Sequence, residues 1–415
     1  MGFLRRQLIT TALTANALRP SASYRGGALG FFPGWLTGEL SPHLLALTAA
    51  DSAVSVARGR SSRLSQALAV ANLAGLFTLV QGGRRAGKQA EEALAEGLGV
   101  DYVEQLDEQP SPAELATPWR SLVYPFRMRN KAVTVHRNLE YAPHGKRGML
   151  DIYLPADPEA RVEKAPVLLQ VHGGGWTIGT KDQQGIPLMQ YLAAKGWVCV
   201  AINYRLAPRD PFPAQIEDVK RAIAWIKEHI AEYGGDPEYL VITGGSAGGH
   251  LSALAALTAG DPTYQPGFED ADTSVQAAIP HYGVYDFAAS TGMRKSELMR
   301  DTFLAPKVVK KRWSEDPEVF EAASPLLRVG VDAPDFFVIH GTHDTLVPVE
   351  QARMFVELLR ERSKRTVVYA ELPGAQHAFD VFPSIRSAHI VRAIDRYVHW
   401  HWNTWRRERF DSLSG

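Results

Sequence analysis

Two kinds of hydrophobic patterning divide the chain. Residues 1 to about 85 are rich in Ala, Leu, Ser and Thr, start basic at Arg5 and Arg6, and show none of the alternation of a half-buried strand. Helices are expected there. Leu64 to Gly83 carries no charge and is bracketed by Arg63, Arg84 and Arg85; at about 1.5 Å per residue it is long enough for a roughly 30 Å hydrocarbon core. Ser65, Gln66, Asn72, Thr78 and Gln81 dilute it, and the preceding Leu40 to Ala57 includes His43 and Asp51. A membrane-associated segment within residues 40–83 and a soluble helical pair packed on the rest of the chain both satisfy these residues. A membrane-associated and a cytoplasmic location therefore both remain open. Met1 to Arg19 starts basic, but its apolar part is interrupted by threonines and lacks a clear cleavage site, which argues against a cleaved signal.

Gly87 to Gln105 carries a charged, alanine-rich helical pattern, and Gln109 to Trp119, with Pro110, Pro112 and Pro118, reads as a linker. Residues 1–120 are thus expected to form a helical region and linker, and residues 131–408 a second unit. From Lys131 the pattern turns to short alternating runs. Ala132 to His136 and Gly148 to Tyr153 read as an opening hairpin, followed by strand runs at Val167 to Val171 and Val198 to Asn203 with a helical stretch, Pro187 to Lys195, between them. An amphipathic helix places Val219, Ile223, Ile226 and Ile230 on one face and is stopped by Gly234 to Pro237. Strands at Leu240, Val275 to Ile279, Phe336 to Ile339 and Thr366 to Leu372 follow, then a final helix near Ser384 to Trp402. Ala289 to Val329, with Trp313 and Phe320, is an irregular helical insertion placed to act as a lid or pocket wall. Strands alternating with helices predict an α/β fold with a doubly wound, mostly parallel sheet.

Composition excludes little but excludes it firmly. The 415 residues hold 45 basic and 45 acidic side chains, so nothing favours nucleic acid as a partner. The single cysteine, Cys199, sits in an apolar strand run and reads as a small buried hydrophobe; no intramolecular disulfide is possible.

The candidate chemistry lies where strands end. Leu240 to Leu251 is an apolar run that stops at Gly244-Gly245-Ser246-Ala247-Gly248 and turns helical. Gly-x-Ser-x-Gly at a strand-to-helix turn presents a serine in strained geometry at a helix N-terminus, with glycines where a Cβ would collide. Upstream, His172-Gly173-Gly174-Gly175-Trp176 ends another strand run. Backbone N–H groups of Gly174, Gly175 and Ala247 are the expected oxyanion donors. A serine needs a base, and the base an acid that fixes its tautomer. Asp344 and His377 each follow a strand after Ser246, in the chain order Ser, Asp, His. Asp286 follows an earlier strand, and Asp332 and Asp335 precede the strand they would have to follow. Among histidines, His340 and His343 lie too near Asp344, His172 reads as a scaffold residue bonding to backbone, and His250 as a capping or packing residue. No His-Glu-x-x-His or Cys-x-x-Cys motif supports a metal site at His340, His343 and Asp344, and no cofactor is expected.

His172-Gly-Gly-Gly-Trp176, Tyr204-Arg-Leu-Ala-Pro208, Gly244-Gly-Ser-Ala-Gly248, Asp344 and His377 together resemble the α/β-hydrolase carboxylesterases and lipases of the hormone-sensitive-lipase type (bacterial family IV), over roughly Lys131 to Trp405. Gly245 and Arg209 stand where that family often has Asp and Glu. Gly-Gly-Ser-Ala-Gly-Gly-His and His-Gly-Thr-x-Asp-Thr-Leu-Val-Pro look more like a neighbouring branch that includes feruloyl-type esterases and isoprenylcysteine methylesterases. The resemblance implies hydrolysis of acyl esters or lipids through an acyl-enzyme, without metal or organic cofactor. It makes Ser246 the nucleophile, His377 the base, Asp344 its orienter, and Gly174, Gly175 and Ala247 the oxyanion donors, with Trp176 and the insertion shaping the pocket. Amide hydrolysis on the same residues, or a silent hydrolase fold used for binding, are the competing readings.

Overall fold

Continuous runs of aliphatic and β-branched residues, buried on both faces, form the centre of an eight-stranded sheet. In the computed structural model, which describes residues 2–414, the strands are β1 (Val133–Glu140), β2 (Met149–Pro155), β3 (Ala165–Val171), β4 (Val198–Ile202), β5 (Gly235–Gly245), β6 (Ala277–His281), β7 (Asp335–Gly341) and β8 (Val367–Leu372). They lie in the order β1-β2-β4-β3-β5-β6-β7-β8. β2 is antiparallel to both its neighbours, and every other pairing is parallel. The chain steps one way from β3 to β4 and then crosses back to β5, so the order reverses between β3 and β5. Loops at the carboxyl ends of those two strands diverge and leave a crevice, the usual place for a ligand in a doubly wound sheet.

Period-two alternation decides which helix covers which face. Val167, Leu169, Leu240 and Ile242 face one core, shared with Val219, Ile223, Ile226 and Ile230 around the helix Ala214–His229 and with the helices Ala247–Leu257 and Val349–Arg362. Leu168, Cys199, Tyr239 and Val241 face the other, shared with the helices Ile186–Ala193 and Ile385–Ser414. Cys199 is fully buried there, and burial pushes its thiol pKa up, which leaves it unreactive.

The N-terminal quarter is helical: α1 (Phe3–Leu18), α2 (Tyr24–Glu39), α3 (Ser41–Ala57) and α4 (Arg63–Leu98). Where the sequence suggested one helix to Gly83 and another from Lys88, α4 runs unbroken for 36 residues. Gly83 in its interior packs against Ile385 of the last helix, and at Gly87 a Cβ would come within 2.7 Å of His389 Nδ1, so the two helices approach closely there. α4 is long and apolar enough to cross a membrane, yet much of it is buried in the fold. Its Asn72 has partners inside the protein: Asn72 Nδ2 donates to Gln7 Oε1 at 2.9 Å, and Thr11 Oγ1 of α1 donates to Asn72 Oδ1 at 2.9 Å. Ala86, Ala90, Ala93 and Leu94 then complete the second core above the sheet.

A buried ion pair fastens α2 to the far end of the chain. Arg386 donates to Glu39 Oε1, and Ser384 Oγ donates to Glu39 Oε2 at 2.6 Å. Removing one partner strands the other charge away from water, so Glu39→Ala is expected to cost about 3–5 kcal/mol of stability. Replacing both groups by apolar ones, Glu39→Leu with Arg386→Met, is expected to recover most of that loss in chemical denaturation. Equal losses in the single and double variants would show that the pair does not hold the helix.

Candidate active site

β5 ends at Gly245 and the helix Ala247–Leu257 starts two residues on, leaving Ser246 alone at the corner with φ 58° and ψ −119°. A residue with a Cβ in that region carries roughly 1–3 kcal/mol of strain, which the surrounding structure must hold in place. Ser246 N donates to the His281 carbonyl at 2.9 Å, tying the corner to the end of β6. Close packing explains the flanking glycines: a Cβ on Gly244 would lie 2.5 Å from the Val171 carbonyl oxygen and 2.6 Å from the Gly248 carbonyl carbon. The corner therefore fits only between bare backbones. The helix behind it turns its unpaired first-turn N–H groups, that of Ala247 among them, toward the same space.

The glycine loop after β3 meets this corner. Gly173 lies against Ser246, where a Cβ would approach the serine Cβ to 3.2 Å, and its N–H donates to Gln184 Oε1 at 2.7 Å. Gly174 (φ 118°), Gly175 (φ 58°) and Trp176 (φ 58°) follow with left-handed backbone. The N–H groups of Gly174 and Gly175 find no acceptor among the described residues. His172 supports the loop: its Nδ1 bonds to the Gly173 carbonyl at 2.7 Å, its ring stacks on Tyr204 at 4.2 Å, and burial lowers its pKa to about 4, so it stays neutral.

Trp176 is placed differently from the expectation that it shapes the pocket. Its indole is 2% exposed, points into the core and donates to His250 Nδ1 at 3.1 Å. His250 in turn meets the Ala323 carbonyl through Nε2 at 2.7 Å and stacks on Phe287 at 4.3 Å. Burial lowers its pKa to about 3, which removes it as a general base. The positive φ at Trp176 turns its side chain under the loop, so it supports the glycines from below. Two other rings stand over the crevice. Phe303, on the insertion, is within 3.0 Å of where a Gly175 Cβ would be, and Phe31 of α2 meets the His377 ring edge-on at 5.8 Å. Sequence reasoning singled out Trp313 and Phe320 of the insertion instead; these pack on each other, away from the loop. Phe31 carried no signal, because nothing in residues 1–85 pointed at the site.

Asp344 and His377 come together from the loops after β7 and β8. His377 Nδ1 lies 2.6 Å from Asp344 Oδ2, while Asp344 Oδ1 accepts from the N–H groups of Leu346 at 2.9 Å and Val347 at 2.8 Å. His340 Nε2 approaches Asp344 Oδ2 at 3.3 Å. Burial alone would raise the Asp344 carboxyl, but the charge of His377 and the hydrogen bonds from His340 and His377 outweigh it and hold the group well below the usual carboxylate range. Gln376 Oε1 accepts from the N–H groups of Thr345 and His377, both at 2.9 Å, and locks the two loops together.

Ser246 Oγ makes no hydrogen bond to a described residue; the structure joins Asp344 to His377 directly, and Tyr282 packs against both His377 and Gly245, the residue before Ser246. The Tyr282 ring packs on His377 at 4.5 Å, and its hydroxyl is 2.5 Å from where a Gly245 Cβ would stand. Tyr282 OH also donates to Asp380, which His281 Nδ1 meets at 2.5 Å. Tyr282, Gln376 and Asp380 thus hold the histidine loop against the serine corner, and none of them has a sequence motif of its own. Asp286 is a structural acid that accepts from Ser290 and Thr291. His343 turns away to the Ala17 carbonyl at 3.3 Å, so His340, His343 and Asp344 do not converge. Among the described residues no cluster of three or more His, Cys, Asp or Glu is placed to hold a metal ion.

This geometry has known counterparts. The profile of the BD-FAE family matches residues 150–359. The chain is 43% identical to the probable carboxylic ester hydrolase LipM of Mycobacterium tuberculosis over 411 residues, which covers 96% of this chain and 93% of that one. It is 42% identical to the esterase LipQ of the same organism, covering 88% of this chain and 84% of that one. Among solved structures, a truncated carbohydrate esterase from gut microbiota is similar at 25% identity with a TM-score of 0.53, over 63% of this chain and 96% of its own. The serine corner, the glycine loop and the matches along the whole chain lead to one conclusion: the protein belongs to the BD-FAE family of α/β-hydrolase-fold esterases and is a carboxylic ester hydrolase.

Proposed function

We propose that the protein is a serine carboxylesterase or lipase in which Ser246, His377 and Asp344 form the catalytic triad. The observation that carries this reading is the 2.6 Å bond between His377 Nδ1 and a buried, ionised Asp344, on loops packed beside the strained Ser246 corner. With Nδ1 held by the carboxylate, Nε2 of His377 is the nitrogen left to accept a proton. Ser246 Oγ attacks the ester carbonyl carbon and its proton passes to Nε2. The carbonyl oxygen takes up the negative charge and is held by the N–H groups of Gly174, Gly175 and Ala247. The carbon–oxygen bond to the alcohol then breaks, and His377 returns the proton to the leaving alcohol. Water, activated by His377 in the same way, releases the acid and restores Ser246.

In this reading residues 131–408 are the catalytic unit and residues 1–120 a helical cover. Phe31 and Phe303 face the acyl ester or lipid, and Trp176 supports the wall from beneath. The hormone-sensitive-lipase-type placement rests on the His172 and Tyr204 motifs. Association with a membrane is supported by the length and apolarity of α4. No metal or organic cofactor enters any step.

Ser246→Ala is expected to abolish labelling by a fluorophosphonate probe and to lower p-nitrophenyl ester turnover by about 10⁴-fold or more; wild-type turnover in that variant would sink the assignment. Asp344→Asn is expected to lower kcat by about 10³–10⁴-fold while leaving KM within a few-fold.

The same residue sets a pH dependence. Because the folded-state pKa of Asp344 is depressed, its ionisation stabilises the fold fully above the ordinary carboxylate pKa of ~4, and that contribution is lost as pH falls below it. The stability gap between wild type and Asp344→Asn should therefore narrow between neutral pH and about pH 3, as followed by urea unfolding. A gap that stays constant would contradict an ionised Asp344.

A further inference from the structure

α2 is apolar on two opposite faces, and only one of them is covered. Apart from Arg25 and Glu39, its sixteen residues are uncharged, and Glu39 is buried with Arg386. The inner face carries Gly27, Phe31 and Gly34. A Cβ on Gly27 would stand 3.0 Å from Thr345, next to Asp344, and Phe31 rests on His377. The outer face carries Arg25, Leu29, Phe32 and Leu36, spaced to form one stripe along the helix. Leu29 is 83% and Phe32 63% exposed. An isolated exposed leucine is ordinary, but this stripe does not stand alone. Phe32 touches Trp35 at 6.1 Å, Trp35 touches Phe382 at 5.5 Å, and Phe382 touches Phe126 at 5.3 Å, where Phe126 is 65% exposed and follows the exposed Val123 and Tyr124. Phe382 itself is buried and Trp35 half-buried, so two exposed apolar patches, one on α2 and one at residues 123–126, are joined beneath the surface by packed rings.

Its charge points to the occupant. Residues 1–85 hold nine arginines, no lysine and two acids. Both acids are already paired, Glu39 with Arg386 and Asp51 with Arg6. Arg25 lies on the α2 stripe itself and Arg127 follows Phe126 in the chain; both, like Arg19 and Arg129 nearby in sequence, are exposed and form no ion pair among the described residues. Exposed aromatics collared by unpaired arginines match an anionic lipid surface, where the rings sit at headgroup depth and each arginine adds attraction.

We propose that this aromatic and arginine surface, centred on the outer face of α2 and on Phe126, is a peripheral docking site for an anionic lipid bilayer and turns the Ser246 crevice toward it. The docking contact is thereby moved from residues 40–83 to α2 and residues 123–129, and α4 stays packed in the fold. The orientation of the crevice rests on the reading of Ser246 as nucleophile; the docking itself does not.

The test uses full-length Ser246→Ala protein, so that binding is read without turnover, and vesicles of phosphatidylcholine with and without phosphatidylglycerol. Co-sedimentation should appear with the anionic vesicles and weaken as salt rises. Arg25→Gln and Arg127→Gln should each lower the partition coefficient about fivefold at low salt, and Phe126→Ser about tenfold. In the Ser246 background, Phe126→Ser and Arg127→Gln should keep wild-type turnover of soluble p-nitrophenyl acetate, which shows that they fold. No binding to either vesicle, or equal binding to both, overturns the proposal. So does a concentration-dependent dimer, seen by sedimentation, that Phe126→Ser abolishes while vesicle binding is unchanged. Retained ester turnover in Ser246→Ala would overturn the catalytic reading and leave the vesicle result standing.

Discussion

A carboxylate taken out of water must be matched on every side, and Asp344 shows how far that requirement shapes this protein. Two backbone N–H groups cover one oxygen, and two imidazoles converge on the other. The four partners come from three stretches of chain, so satisfying one buried charge fixes the loop after β7, the loop after β8 and the end of β7 relative to one another. His377 is oriented as a by-product. Tyr282 and Asp380 carry the same logic one step further, because a second, half-buried carboxylate ties the histidine loop to the end of β6, on which the serine corner also leans.

Much of the catalytic half was legible in the sequence for reasons that are local. Strand runs such as Val167 to Val171 are short, apolar and bounded by glycine, and Ser246 stands at a corner whose sterics admit few residue types. Chain order favoured Asp344 over Asp286, and it is Asp344 that meets His377 in the structure. What could not be read were contacts made between remote segments by residues with no motif. Trp176 follows a glycine loop and invites a pocket role, but a positive φ turns it into the core, and backbone sign is not visible in composition. Phe303 and Phe31 reach the crevice only because the insertion and the N-terminal helices fold back over it.

The N-terminal quarter admits two hydropathy readings for a related reason. Asn72 lowers the apolarity of a would-be span only modestly, yet in the fold it forms a buried hydrogen-bonded knot with Thr11 and Gln7 that joins α4 to α1. A side chain that costs free energy in lipid is stabilising between two helices when its donors and acceptors are all met. The same average hydropathy therefore describes a helix that spans and a helix that packs, and only the partners distinguish them.

The long α4 helix also sets the order in which this molecule can be completed. Its alanine-lined face covers the second core through Val368 and His389, groups that belong to the final stretch of the chain. On the ribosome α4 emerges early, with α1 and α3 to lie on, but its face toward β8 and the last helix has no cover until almost everything else has been made. Its apolar face waits exposed through most of synthesis, a period in which a nascent chain is prone to wrong associations. Closure of α4 on the last helix thus has to wait for the C-terminal stretch to be made, and a protein truncated near its C-terminus would lack not only a helix but part of the seat of one made long before.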